Sequence, residues 1–138
     1  MEQHLKIWEQ AAAYLRGDEA AGEWLKQIGM HELFHFIDAI EHVELSFKWL
    51  RDNGHNELAA TVDAVHGNAN AKVWLMKQGF PMLSAFADAC DGNKTAVAYL
   101  LKNNERGWLL IAKEVALKEK KKDKGFLGGL LNLGNPYA

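Results

Sequence analysis

Apolar residues recur along this chain at spacings of three and four, with polar residues between them. One stretch places Leu33, Phe36, Ile37 and Ile40 on a single stripe, which is typical of an amphipathic helix. The pattern predicts an all-α protein of about nine helices and no strands. The clearest of them are expected near residues 1–16, 31–41, 43–53, 56–66, 69–78, 81–91, 94–103 and 106–122.

A repeat of 25 residues organises these helices. Its markers are the aromatic–leucine pairs that begin at Trp24, Trp49, Trp74 and Tyr99, the glycines Gly29, Gly54 and Gly79 with Asn104 in the fourth place, and the aspartates Asp38, Asp63 and Asp88. Because one unit cannot bury its own stripe, successive units are expected to stack. The four aromatic residues are predicted to form a ladder along the core.

The register of the repeat divides the chain into a helical domain and a tail. The domain is predicted to span 1–117, with units at about 18–42, 43–67, 68–92 and 93–117. A half-unit at 1–17 is interpreted as the second helix of a truncated first unit. Residues 118–138 then form a basic helix end and a tail rich in glycine and leucine.

The turns between helices carry recognisable end signals. Gly67-Asn68 and Gly92-Asn93 each place a glycine where a helix needs a left-handed residue, followed by an asparagine that can cap the next helix. Pro81 falls near the first position of its helix, where a missing N–H costs nothing.

Several segments resemble the second-helix half of an ankyrin repeat. The segment 89–93, then Ala96-Val97 and Leu100-Leu101, follow the family pattern, as does the segment 41–54. The resemblance covers residues from about 17 to 117, but ankyrin units have a period near 33. It implies a right-handed-type α-solenoid of stacked antiparallel helix pairs without the β-hairpin fingers, used as a protein-binding scaffold.

Composition and charge exclude several classes of protein. A chain of 138 residues with a net charge of −2 is expected to form one domain with no general attraction to nucleic acid or to an anionic membrane. Its single cysteine, Cys90, excludes an internal disulfide and favours a reducing cytoplasm. No signal-peptide core and no apolar run of membrane-spanning length is found, so a soluble, cytoplasmic protein is expected.

One motif could carry chemistry. His31-Glu32-Leu33-Phe34-His35 matches the H-E-x-x-H pattern of zinc peptidases, in which the histidines bind metal and the glutamate acts as general base. Asp38 and His42 project from the same side of the helix. However, Glu32 and Leu33 align with residues one repeat later, so packing explains the helix without zinc. We therefore expect no catalysis and no cofactor, with a zinc-dependent hydrolase as the alternative.

Partner binding is assigned to residues on the exposed side of the first helices. The candidates are His31, Phe34, His35, Asn56 and Met82, together with the aspartate column of Asp38, Asp63 and Asp88. Phe34 is either an anchor for a partner or a filler against a neighbouring helix. The aspartates either form an acidic ridge or hydrogen-bond backbone groups of the adjoining turn.

The tail has a composition of its own. Residues 118–124 contain five lysines and two acidic residues, an excess of +3. The segment that follows carries Phe126, Leu130, Leu131 and Tyr137, and is expected to dock on its own domain, on a second copy or on a partner. The chain is thus predicted to be a non-enzymatic protein–protein interaction module: an adaptor, inhibitor or immunity-type binding protein. A homo-oligomeric structural subunit is a further alternative.

Overall fold

A computed structural model describes residues 2–119, with side chains from residue 4 onward. Within this range the chain forms nine helices and no strand, which confirms the all-α prediction. The helices are α1 (Glu2–Leu15), α2 (Glu19–Gln27), α3 (His31–Ile40), α4 (Glu44–Asp52), α5 (Asn56–Val65), α6 (Ala69–Lys77), α7 (Pro81–Cys90), α8 (Lys94–Lys102) and α9 (106–119).

The backbone of the turns repeats with the same period as the sequence. Left-handed residues occur at Gly17, His42, Gly67 and Gly92 in one kind of turn, and at Gly29, Gly54, Gly79 and Asn104 in the other. The side chains of Asn68 and Asn93 accept hydrogen bonds from the amides of Ala71 and Ala96, at 3.1 and 2.9 Å. The predicted glycine and asparagine roles are therefore confirmed, as is the place of Pro81 at the start of α7.

The helices pack as antiparallel pairs in two layers. The closest pairs are α1 with α2, α3 with α4, α5 with α6 and α7 with α8. In addition, α1 contacts α3, α3 contacts α5 and α5 contacts α7. We call α1, α3, α5, α7 and α9 the inner helices and α2, α4, α6 and α8 the outer helices. Helix α1 is therefore an inner helix, in the place that α3, α5 and α7 take as the second helix of the units at 18–42, 43–67 and 68–92.

The inner helices close into a ring, because α9 contacts both α7 and α1. The indole of Trp108 lies 5.0 Å from the ring of Phe86 and 5.0 Å from the indole of Trp8. Near the other end, the Arg16 guanidinium is 2.7 Å from the Glu114 carboxylate. Since both contacts join equivalent ends, α1 and α9 run parallel. An open stack would leave its first and last helices apart.

The core lies inside this ring and follows the repeat. Residues 25 positions apart on the five inner helices form a layer in which every side chain is fully buried: Ala11, Phe36, Thr61, Phe86 and Ile111. Phe36 and Phe86 meet across the centre, with ring centroids 5.8 Å apart. The one polar member, Thr61, donates its hydroxyl to the carbonyl of Glu57 at 2.6 Å. The buried stripe expected from the spacing is confirmed.

The aromatic ladder does not lie in the core. The leucines of the repeated aromatic–leucine pairs, Leu25, Leu50, Leu75 and Leu100, are all 0% exposed. Their aromatic neighbours lie outside the buried core: Trp24 and Trp49 are partly buried against it, and Trp74 and Tyr99 are 39% and 37% exposed. One residue along a helix is a turn of about 100°, so only one member of each pair can face inward. The prediction of a core ladder was wrong.

Candidate functional site

The residues predicted on the exposed side of the first helices have unequal surroundings. His31 and Asn56 are exposed at the first positions of α3 and α5, whereas Met82 is partly buried against the core. Phe34 is also partly buried. Its ring stacks on Tyr14 at 5.1 Å, and the Lys26 ammonium lies 4.9 Å from its centre. Phe34 therefore fills the space between α1, α2 and α3.

The three aspartates of the column have three different environments. Asp38 accepts a 2.6 Å hydrogen bond from the Tyr14 hydroxyl, and Asp88 pairs with the Lys72 ammonium at 2.7 Å. The Asp63 carboxylate has no hydrogen bond or ion pair with any residue that the structure describes. In each unit the backbone carbonyl of the aspartate accepts a hydrogen bond from an amide of the following turn. Val43 N–H, for example, donates to Asp38 O at 3.0 Å. The carboxylates themselves do not bond the turns.

A small polar network surrounds Asp38. Ser46 Oγ lies 2.9 Å from His35 Nδ1 and 3.5 Å from Asp38 Oδ2. The His35 ring stacks on Trp49 at 4.2 Å. Burial lowers the pKa of His35, although the Asp38 charge opposes that effect. Burial, and then the hydrogen bond to Asp38, raise the pKa of Tyr14 well above its ordinary range.

This network does not have the geometry of a catalytic site. The hydroxyl of Ser46 is buried and lies between the imidazole and the carboxylate, so no histidine–carboxylate pair activates it. Burial also raises the pKa of the Cys90 thiol, which keeps it protonated. The network ties α1, α3 and α4 together.

The H-E-x-x-H motif is not joined by further ligands in the described part of the chain. Across residues 4–119, no three histidine, cysteine, aspartate or glutamate side chains gather as a metal site would require. His35 is engaged with Ser46 and Trp49, while His31 stands exposed one turn away.

The repeat supplies an internal comparison for the outer helices. One outward position is occupied by Glu23, Lys48, Val73 and Ala98 in successive units, and another by Lys26, Arg51, Met76 and Leu101. The positions are charged on α2 and α4 and apolar on α6 and α8. Val73 is 51% exposed, and Met76 and Leu101 are each 57% exposed. The scaffold therefore accepts charged residues at these positions on α2 and α4.

We call the exposed large apolar side chains of these two helices the α6–α8 surface: Val73, Trp74, Met76, Tyr99 and Leu101. Met76 and Tyr99 line the same groove of about 510 Å³, which runs between α6, α7 and α8 and has Ser84 and Asp88 among its lining residues. Trp74 lines a neighbouring groove with Phe47 and Arg51. The sequence predictions missed this surface. A comparison of the outer-helix positions across the units would have signalled it, once their outward direction was known.

A second concavity opens at the end of the ring where the inner helices begin. It measures about 270 Å³, and its walls include Trp8, Phe36 and Trp108, with His4 and Glu32 as its polar residues. Few polar groups converge there, so it lacks the features that orient a specific ligand.

The remaining predicted residues, Phe126, Leu130, Leu131 and Tyr137, lie outside the described residues. Among the helices within 2–119, none is both long and apolar enough to cross a membrane. Comparison with known proteins found no matching family model, no matching curated protein and no matching solved structure.

Proposed function

We propose that this chain is a non-enzymatic protein–protein interaction module that contacts its partner through the α6–α8 surface. The observation that carries the proposal is the change from charged to apolar residues at equivalent outward positions. Glu23 and Lys26 of α2 form a 2.7 Å ion pair, where α6 has Val73 and Met76. Since the fold tolerates the charged pair on α2, the exposed apolar residues at the same positions of α6 support a role in contacting a partner.

The composition of the surface supports the same function. Groups of exposed apolar side chains are typical of interaction sites, because burying them against a partner removes apolar area from water. Tryptophan, tyrosine and methionine are enriched where partners bind, and Trp74, Tyr99 and Met76 provide all three. These residues lie on helices and not on loops, so little of the backbone has to become ordered on binding.

Three predictions from the sequence belong to this proposal. The resemblance to ankyrin repeats also favours protein binding. A reducing cytoplasm is the expected compartment because Cys90 has no partner cysteine in the sequence. The zinc-hydrolase alternative has weaker support, since His35 is held by Ser46 and Trp49.

The test replaces the apolar residues with the pair that α2 already carries. The variant V73E/M76K/A98E/L101K, which we call the neutral graft, introduces two negative and two positive charges and so leaves the net charge unchanged. Its free energy of unfolding should stay within about 1 kcal/mol of wild type, because surface changes away from special features cost little. The measurement is affinity capture from cells of the source organism with quantitative mass spectrometry.

The matched control is E23K/K26E, which exchanges two charged residues on α2 and leaves the α6–α8 surface intact. Proteins retained by wild type and by the control, but lost from the neutral graft, are the expected result. If the graft is folded and retains the same proteins as wild type, the proposed function is wrong.

A further inference from the structure

Lysine is the only charged residue type on α6 and α8. Helix α6 carries Lys72 and Lys77, and α8 carries Lys94 and Lys102, so each helix has a charge of +2. Helix α2 has two glutamates and one lysine, which sum to −1, and α4 has two acidic and two basic residues, which cancel. The change from balanced to purely basic charge occurs in the same two units as the change to apolar residues.

Most of these lysines are available to a partner. Lys72 is paired with Asp88, and that hydrogen bond raises its pKa. Lys77, Lys94 and Lys102 are exposed, and none forms an ion pair with any residue that the structure describes. Lys77 and Lys102 follow Met76 and Leu101 directly in the sequence. Unpaired positive charge therefore borders the apolar side chains.

We infer that the partner segment bound by the α6–α8 surface is an acidic amphipathic peptide segment of another protein; this inference rests on the proposed function. Its apolar side chains would enter the groove beside Met76 and Tyr99, and its carboxylates would face the lysines. Complementary charge speeds encounter and selects among partners, while buried apolar anchors supply most of the affinity.

Two other occupants fit the surface less well. A second copy presenting the same face would bring the two sets of lysines together, and like charges at an interface are unfavourable. An anionic membrane would satisfy the lysines, but the surface is grooved rather than flat. A peptide side chain can enter such a groove, whereas a lipid headgroup layer rests on its rims.

The experiment uses the full chain and two synthetic amphipathic helical peptides. The peptides share the same leucine and tryptophan positions, and their polar positions are glutamate in one and lysine in the other. We expect the acidic peptide to bind at least about tenfold more tightly in 50 mM salt, and this preference to shrink as salt rises, because rim charges are screened. Isothermal titration calorimetry gives both dissociation constants.

Three variants separate the effect of charge from that of apolar contact. The variant K77D/K94E/K102D copies the acidic residues that α4 has at the equivalent positions, Glu44 and Asp52. It should abolish the preference for the acidic peptide. Circular dichroism should show that its helices are intact. K77R/K94R/K102R keeps the charge and should keep the preference. The neutral graft should lose binding of the acidic peptide by removing its apolar contacts.

Several results would overturn the inference. Equal binding of both peptides would show that charge is not recognised, and the proposed function would then stand on the capture experiment alone. Binding to vesicles of phosphatidylcholine with phosphatidylserine, with no binding of either peptide, would identify a membrane surface. A doubled mass in light scattering that the neutral graft reverses would identify a second copy as the occupant. Failure of both peptides and of vesicles to bind would also contradict an acidic partner.

Discussion

The indole of Trp8 lies directly against the backbone of Gly107, so closely that a Cβ atom at position 107 would overlap the ring. This contact joins the first inner helix to the last and forms the seam of the ring. The equivalent positions in earlier units carry Glu32, Glu57 and Met82, so glycine occurs only where Trp8 has to fit. The two residues are far apart in the sequence. The large indole at position 8 requires a residue without a side chain at position 107.

The seam predicts a strong dependence between these two positions. G107A should destabilise the protein by about 2 kcal/mol, because overpacking forces the ring or the helix to move. W8L places at position 8 the leucine that occurs at the equivalent positions 33, 58 and 83. In that background, G107A should be neutral or stabilise by up to about 1 kcal/mol, since alanine favours a helix more than glycine does.

Urea denaturation of the four proteins in this double-mutant cycle gives the coupling free energy between the two positions. A coupling near zero would contradict the seam. Trp108 should also report the change, because its fluorescence depends on the neighbouring rings of Trp8 and Phe86.

The inward leucine and the outward aromatic residue of one repeat should differ in their contribution to stability. L75A removes a side chain that is 0% exposed and should cost about 3 kcal/mol. W74A removes a larger side chain that is 39% exposed, and we expect a loss of about 1 kcal/mol. Chemical denaturation measures both. A larger loss from W74A than from L75A would place the aromatic residue back in the core.

Because His42 has a left-handed backbone conformation, glycine at this position should increase stability relative to alanine. His42 has φ of 69° where the equivalent positions are Gly17, Gly67 and Gly92. H42G should be more stable than H42A by about 1 kcal/mol, because the alanine variant keeps the left-handed strain and the glycine variant does not. The comparison of two variants removes the effect of losing the stacking between His42 and His66.

Position 67 provides the reciprocal measurement. G67A should lose about 1 kcal/mol relative to wild type, since alanine there takes on the strain that glycine avoids. Thermal unfolding of all four proteins tests the pair, and equal stability of H42A and H42G would argue against a left-handed residue at 42.

The environment of His35 predicts a pH dependence. Burial lowers its pKa in the folded state below the unfolded value, so the unfolded chain binds the proton more readily. The neutral imidazole therefore makes its full contribution to the free energy of unfolding above the unfolded pKa of about 6.5. This contribution is lost as the pH falls through the folded-state pKa. Wild type should lose stability between pH 7.5 and pH 5 through this residue.

The matched variant is H35A/S46A, which copies the alanines that the next two units have at both positions. The other histidines remain in it, so the difference between the two unfolding curves isolates the His35 and Ser46 pair. The stability difference between wild type and variant should be larger at pH 7.5 than at pH 5. If it is larger at pH 5, the imidazole is charged in the folded state.

The helices, their turns and the buried stripe could be predicted from the amino-acid sequence, because they follow from local rules. A stripe such as Leu33, Phe36, Ile37 and Ile40 reports helical spacing directly, and a glycine such as Gly67 reports a left-handed residue. The repeat strengthens these predictions, because the same pattern occurs in several units. Asn68 and Asn93 are caps for the same reason.

How the two ends of the array meet, and which residues face outward, depends on contacts between helices that are distant in the sequence. The contact of Trp8 with Gly107 joins distant parts of the chain, and no local pattern specifies it. The spacing of the repeat treats Trp74 and Leu75 alike, and packing against the neighbouring helices decides which of them is buried. The α6–α8 surface is recognised only when its outward direction is known, because the same apolar residues turned inward would have been core.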